Sequence, residues 1–199
     1  MKRVSIGFLI FGVCVLLNAG PASDIEAGIE CHDLAQTAPE GNIDRGKALL
    51  APLINEYPLA KGYYGSLLTM EGGYYEKRNN VIRAMALLDE GTRMIDSAVM
   101  EAPDLLDLRM LRMINSYEIS VQSPVNRYGV MKTDIDWLDS HRNQMNEVLT
   151  GMTELYKGLY YLKARRLNEA IAAFEACIRA SPNSAEAVEA EKQLRRYNE

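Results

Sequence analysis

Histidine is nearly missing from this chain: His32 and His141 are the only two among 199 residues. Cysteine is scarce as well, at Cys14, Cys31 and Cys177. Zinc centres draw most of their ligands from these two residue types, so so thin a supply excludes the common ligand sets. Cys31-His32 has no second cysteine at haem-attachment spacing, which excludes covalent haem. No serine stands in a G-x-S-x-G elbow, and neither a phosphate loop nor a dinucleotide fingerprint occurs. Gly72-Gly73 reads as a bare turn signal. No segment alternates β-branched and polar residues as a half-buried strand does. A sustained basic run is also lacking, which argues against nucleic acid and anionic membranes as partners. These absences point to a chain without catalytic machinery, metal or cofactor.

One apolar run stands out, Val4 to Leu17, fourteen residues long and preceded by Lys2 and Arg3. Small residues follow at Ala19, Gly20 and Ala22. This is the layout of a secretory signal peptide over 1–22, too short to span a bilayer comfortably. The expected compartment is the periplasm or the exterior. Removing Lys2 and Arg3 from 22 basic side chains leaves 20 against 27 acidic ones, a net charge of −7. An oxidising compartment permits a disulfide between Cys31 and Cys177. Cys177, however, occupies an apolar helical position that suits a small core residue. The pairing stays open.

Residues 23–199 read as helices throughout. The expected segments are Ile25 to Thr37, Asn42 to Tyr57, and Leu59 to Met70. After a break at Gly72-Gly73 come Val81 to Ala102 and Pro103 to Ser120. Then follow Arg127 to His141, Asn143 to Lys163, Leu167 to Ala180, and a last helix to Tyr197. Apolar residues recur at the 3.6-residue period in each.

Within these helices a spacing recurs three times: a small residue, an apolar residue four later, another three later, and proline five later. Its copies are Gly46, Leu50, Leu53, Pro58; Gly91, Ile95, Ala98, Pro103; and Ala170, Phe174, Cys177, Pro182. Steps of four and three place the first three residues on one helical face, where the small one admits a neighbouring helix closely. Proline lacks an N–H and ends one helix or begins the next.

The stretch 151–187 carries more of the pattern. Gly158 and Tyr161 stand in its first helix, Ala170, Phe174 and Cys177 in its second, and Pro182 at its exit. In these positions it resembles a tetratricopeptide repeat, a unit of 34 residues. Glu154 and Lys157 depart from that family, which usually has bulky apolar residues there. Pro58 to Pro103 spans 45 residues and Pro103 to Pro182 spans 79, so each interval holds an insertion, one around Gly72 to Asn80 and one around Ser123 to His141. The resemblance implies an all-α, right-handed solenoid of antiparallel helix pairs, about 8–9 helices in a single domain over 23–199.

That resemblance also implies a groove lined by first helices, which here means Met152, Leu155, Leu159 and Leu162. Apolar residues in such a groove receive a ligand helix or peptide, or are covered by the chain's own extra helix. The second insertion, with Trp137, supplies a helix for coverage. Tyr74 and Tyr75 follow the glycine break in an expected loop and are contact candidates. Tyr57, Tyr63 and Tyr64 read as filling a seam between two helices. Arg109, Arg112 and Asn115 fall at steps of three on one helix, where the arginines could clamp a carboxylate or pair with neighbouring acids. The carboxylate pairs Asp134 with Asp136 and Asp104 with Asp107 are expected at helix starts, solvated and favourable to the dipole. The implied function is a periplasmic or secreted interaction scaffold that binds a protein or peptide of the envelope. The alternative is an accessory subunit of a transport or envelope system that binds a small molecule or lipid.

Overall fold

The computed structural model describes residues 20–197. Expectations for 1–19, the signal segment and Cys14 among them, lie outside the described residues. Among those described there are nine α-helices and no strand. The described residues divide into two compact units, 20–111 and 112–197.

The first unit contains α1 (Pro21–Ala35), α2 (Pro39–Leu50), α3 (Pro58–Glu76) and α4 (Val81–Glu101). Helix α5 (Leu106–Gln122) contributes its residues through Leu111 to this unit and the rest to the second. Helix α2 is regular only beyond Gly41, whose φ of 79° makes a kink that a residue with a Cβ would resist. The helix expected to run to Tyr57 ends at Leu50, and Ala51–Leu53 tightens into a 3-10 turn. Pro52 is the reason, since it removes an N–H from the α-helical ladder. Pro103 precedes its helix by three residues instead of opening it, and α5 begins at Leu106.

The largest departure from the sequence reading lies in α3. Gly72-Gly73 does not break the chain; the helix continues through Glu76. A Cβ on Gly72 would lie 3.0 Å from the Ala84 carbonyl of α4, so this glycine serves close approach, not a turn. The reversal comes three residues after Glu76, with Asn79 in the left-handed region at φ 60°. Asn80 then caps α4 by accepting from the Arg83 N–H.

Packing of α3 on α4 runs backbone to backbone. A Cβ on Gly65 would fall 2.6 Å from the Gly91 carbonyl and 2.9 Å from Met94 Cβ, and a Cβ on Gly91 would strike the Gly65 carbonyl. Gly46, Leu50, Ile95 and Ala98 of the recurring spacing are all buried. Tyr63, with none of its surface exposed, joins Leu50, Leu67, Ala98 and Leu108 in one core, while Tyr57 and Tyr64 pack partly buried against it. The seam expected for these three tyrosines is present.

The second unit holds the remainder of α5, then α6 (Tyr128–Ser140), α7 (Glu147–Lys163), α8 (Leu167–Ala180) and α9 (Ala185–Arg195). Helices α7, α8 and α9 pack on one another, and α6 packs on α7. Phe174 lies against Gly158 so closely that a Cβ there would be 2.5 Å from the ring's Cε1. Leu155, Ala170, Phe174, Cys177 and Ala190 form one core cluster of this unit. Asn146 and Ser184 cap α7 and α9 through their side chains.

Candidate interaction surfaces

The end of α3 and the start of α4 form an exposed corner in the first unit. Tyr74 and Tyr75 close the last turn of α3, half-buried, with their rings edge to face at 6.2 Å. They are helical, not in the expected loop. The Arg78 guanidinium lies 3.5 Å from the Tyr74 ring centroid, and that of Arg83 lies 4.6 Å from Tyr75. A guanidinium stacked flat on a ring keeps its N–H edges available to a carboxylate. Beside these pairs, Val81 and Ile82 are 58% and 88% exposed. Ile82 is the most exposed large apolar residue among the described residues. The corner therefore combines two apolar side chains, two aromatic–cation stacks and the exposed Lys77. Inward of it, Glu71 holds Lys47 at 2.5 Å and reaches Arg83 at 3.8 Å.

The proposed groove residues have a different fate. Met152 and Leu155 are 1% and 0% exposed, and so present no surface to a partner in this conformation. Leu159 and Leu162 are partly buried against the Phe174 core. Glu154 and Lys157 explain how α7 is covered. Glu154 pairs with Arg142, and Lys157 bonds Asp139 at 2.7 Å while lying 3.8 Å from Glu154. Arg142 also bonds Asp139 at 2.6 Å. Asp139 belongs to α6 and Arg142 to the short turn after it, so this segment engages α7 through Glu154 and Lys157. Burial works against the Asp139 carboxylate, but hydrogen bonds from Lys157 and Arg142 outweigh it and hold its acid below the ordinary range. Trp137 of α6 stacks on His141, ring centroids 3.8 Å apart.

Arg112 makes a two-pronged contact with Asp134, at 2.8 and 2.7 Å. Asp134 is wholly buried in the interior of α6, so the expectation of a solvated carboxylate at a helix start is corrected. Its companion Asp136 is exposed and pairs with Lys132. Arg109 donates from Nε to the Pro103 carbonyl at 2.8 Å. Both arginines thus bond within the chain, and the step of three does not present them as a pair to an outside carboxylate.

A groove of about 340 Å³ opens between α7 and α8, lined by Glu169, Ala172, Ala173 and Ala176 of α8 and by Glu154, Lys157 and Tyr161 of α7. This lies at the small end of ligand-pocket volumes. Sequence reasoning missed it, because Glu154 and Lys157 alone do not announce a groove.

It also missed a serine, histidine and aspartate that meet inside the first unit. His32 bonds Ser66 Oγ at 2.9 Å through Nε2 and Asp33 at 3.0 Å through Nδ1. Its ring stands edge-on to Tyr63 at 5.0 Å. Burial pushes the Tyr63 phenol well above its ordinary range. The bonding order matches that of a nucleophilic triad. However, Ser66 in the middle of α3 and His32 in the last turn of α1 are 3% and 2% exposed, so no substrate reaches the hydroxyl in this arrangement. The contact ties α1 to α3.

Cys31 and Cys177 are buried free thiols, and burial pushes the Cys177 thiol up to about 12. Among the described residues no group of three or more His, Cys, Asp or Glu could hold a metal ion, and no helix is long and apolar enough to cross a membrane. Comparison of the chain with family models, curated proteins and solved structures finds no match.

Proposed function

We propose that this chain is a periplasmic or secreted interaction protein, built as a right-handed solenoid of antiparallel, tetratricopeptide-like helix pairs, and that it binds a protein of the envelope without catalysing a reaction. The observation that carries this reading is the α3–α4 corner. Val81 and Ile82 stand exposed beside Tyr74–Arg78 and Tyr75–Arg83 stacks. Exposed apolar side chains cost solubility unless a partner uses them, and tyrosine with arginine is the pairing that interfaces favour. The repeat framework is supported by the fit of Phe174 on Gly158 between α7 and α8. The working residues are then Tyr74 and Tyr75, with Arg78, Ile82 and Arg83 beside them. Met152, Leu155 and Arg112, being buried or engaged within the chain, serve the scaffold.

A photo-crosslinking side chain at position 82, introduced in the full chain in its native cells, tests this. Protein adducts at 82 that disappear with the R78E/R83E variant support the reading. Adducts insensitive to that variant, or none, would falsify it.

The alveole between α7 and α8 supports a second reading, an accessory subunit that binds a small molecule. Its alanine side suits an aliphatic chain, and its charged side suits a polar head. Native mass spectrometry of the purified chain distinguishes the two, since a co-purifying small molecule lost on Ala173→Trp would favour the groove.

A further inference from the structure

The α3–α4 corner has a counterpart on the same chain. Residues 74–83 carry Lys77, Arg78 and Arg83 against Glu76 alone, in a protein of net charge −5. Helix α1 is the reverse. Residues 20–40 carry Asp24, Glu26, Glu30, Asp33 and Glu40 and not one lysine or arginine. On α1, Glu26, Glu30 and Leu34 follow at steps of four and all three are exposed, Leu34 to 46%. They form a stripe about 12 Å long on one helical face. An apolar residue at the end of two carboxylates is the mirror in charge of Val81-Ile82 beside two guanidiniums.

We infer that the corner of one copy docks on the α1 stripe of a second copy of this chain, with Ile82 and Val81 against Leu34 and with Arg78 and Lys77 against Glu26 and Glu30. This rests on the reading of the corner as an interaction surface and names one partner for it. Both patches are exposed in the single chain, so neither satisfies the other within one molecule. The contact joins unlike surfaces, and such head-to-tail docking produces rings or open chains of copies, not a two-fold dimer closed by one patch. Its apolar centre is two residues wide, well under the roughly 800 Å² per partner of a standard stable interface. Association is therefore weak, dependent on concentration, and weakened by salt, because the charges on both sides remain near solvent.

Sedimentation velocity of the purified full chain tests this over rising concentration, at low and at high salt. Average mass should rise with concentration at low salt and fall back at high salt. The K77E/R78E and E26K/E30K variants change only exposed side chains, and circular dichroism confirms that each folds. Each should weaken association at least about tenfold, as like charges now face each other. An equimolar mixture of the two should recover it, since every junction between them is again attractive. A wild-type chain that stays monomeric throughout, or reversals whose mixture does not associate, overturns the inference. If the wild type is monomeric while position 82 still crosslinks a different protein, the docking of copies fails and the corner remains an interaction surface. Loss of both results removes both readings.

Discussion

Between α3 and α4 the helices meet by removal of side chains: Gly65 and Gly91 each face the other's carbonyl, and Gly72 faces that of Ala84. Between α6 and α7 they meet through charge: Asp139, Arg142, Glu154 and Lys157 bridge the two segments, and Asp134 anchors α6 to Arg112. The first contact tolerates no added atom, because backbone cannot yield. The second depends on each charge keeping its partner, because a buried ion left alone is far costlier than a missing pair. The glycine-packed region also carries the exposed corner, at the end of the two helices it binds so tightly. A rigid mount for a small patch lowers the ordering cost of binding.

Substitutions should separate these two modes. The largest effect is expected at Asp134→Ala, which removes the two-pronged carboxylate from Arg112 and should cost about 3 kcal/mol or more in urea unfolding. Gly91→Ala should come next, at about 3 kcal/mol by the same measurement, with no rotamer available to relieve the clash. On the same helix as Gly65, Gly73→Ala should instead gain about 0.5 kcal/mol, because nothing lies within 4 Å of a Cβ there. A similar loss at positions 73 and 91 would contradict the backbone-contact account.

Acid should act on the charged contact first. Asp139 has its folded-state acid lowered, so the stability it contributes is whole above its unfolded value near 3.8 and disappears as pH falls through the lower folded value. The Asp139→Asn variant should therefore lose stability at neutral pH and show a shallower decline on acidification. An acid limb as steep as that of the wild type would remove Asp139 from the explanation. The smallest effect is expected at Ile82→Ser, within about 0.5 kcal/mol of the parent in stability, since the side chain is 88% exposed.

The helices themselves were legible in the chain. Leu167 to Ala180 was expected and observed without change, because its small and apolar residues repeat strictly and Pro182 follows. The glycine doublet was misread because glycine signals a turn or a close approach equally well. What decides is Ala84, twelve positions on, whose carbonyl lies beneath Gly72. Periodicity gave no reason to join Arg112 to Asp134, 22 residues apart, and a helix-start role for the acid was the local reading. Glu154 and Lys157 were visible in the sequence as polar residues, yet their partners Asp139 and Arg142 follow from how α6 and the turn after it fold back on α7. Tyr74 and Tyr75 stand out from the sequence as candidates, while Ile82 does not, being one apolar residue among many in the helical segment Val81 to Ala102. A helix pattern fixes the face a residue shares, not whether a neighbour covers it.

The most direct test of the account places the same crosslinking side chain at Ile82 and, as a control, at Val188, an exposed apolar residue of α9 at 61%. The account expects adducts at 82 that vanish in R78E/R83E, and few at 188. Equal yields at the two positions would mean that exposure alone produces them, and the corner would lose its claim to be an interaction surface.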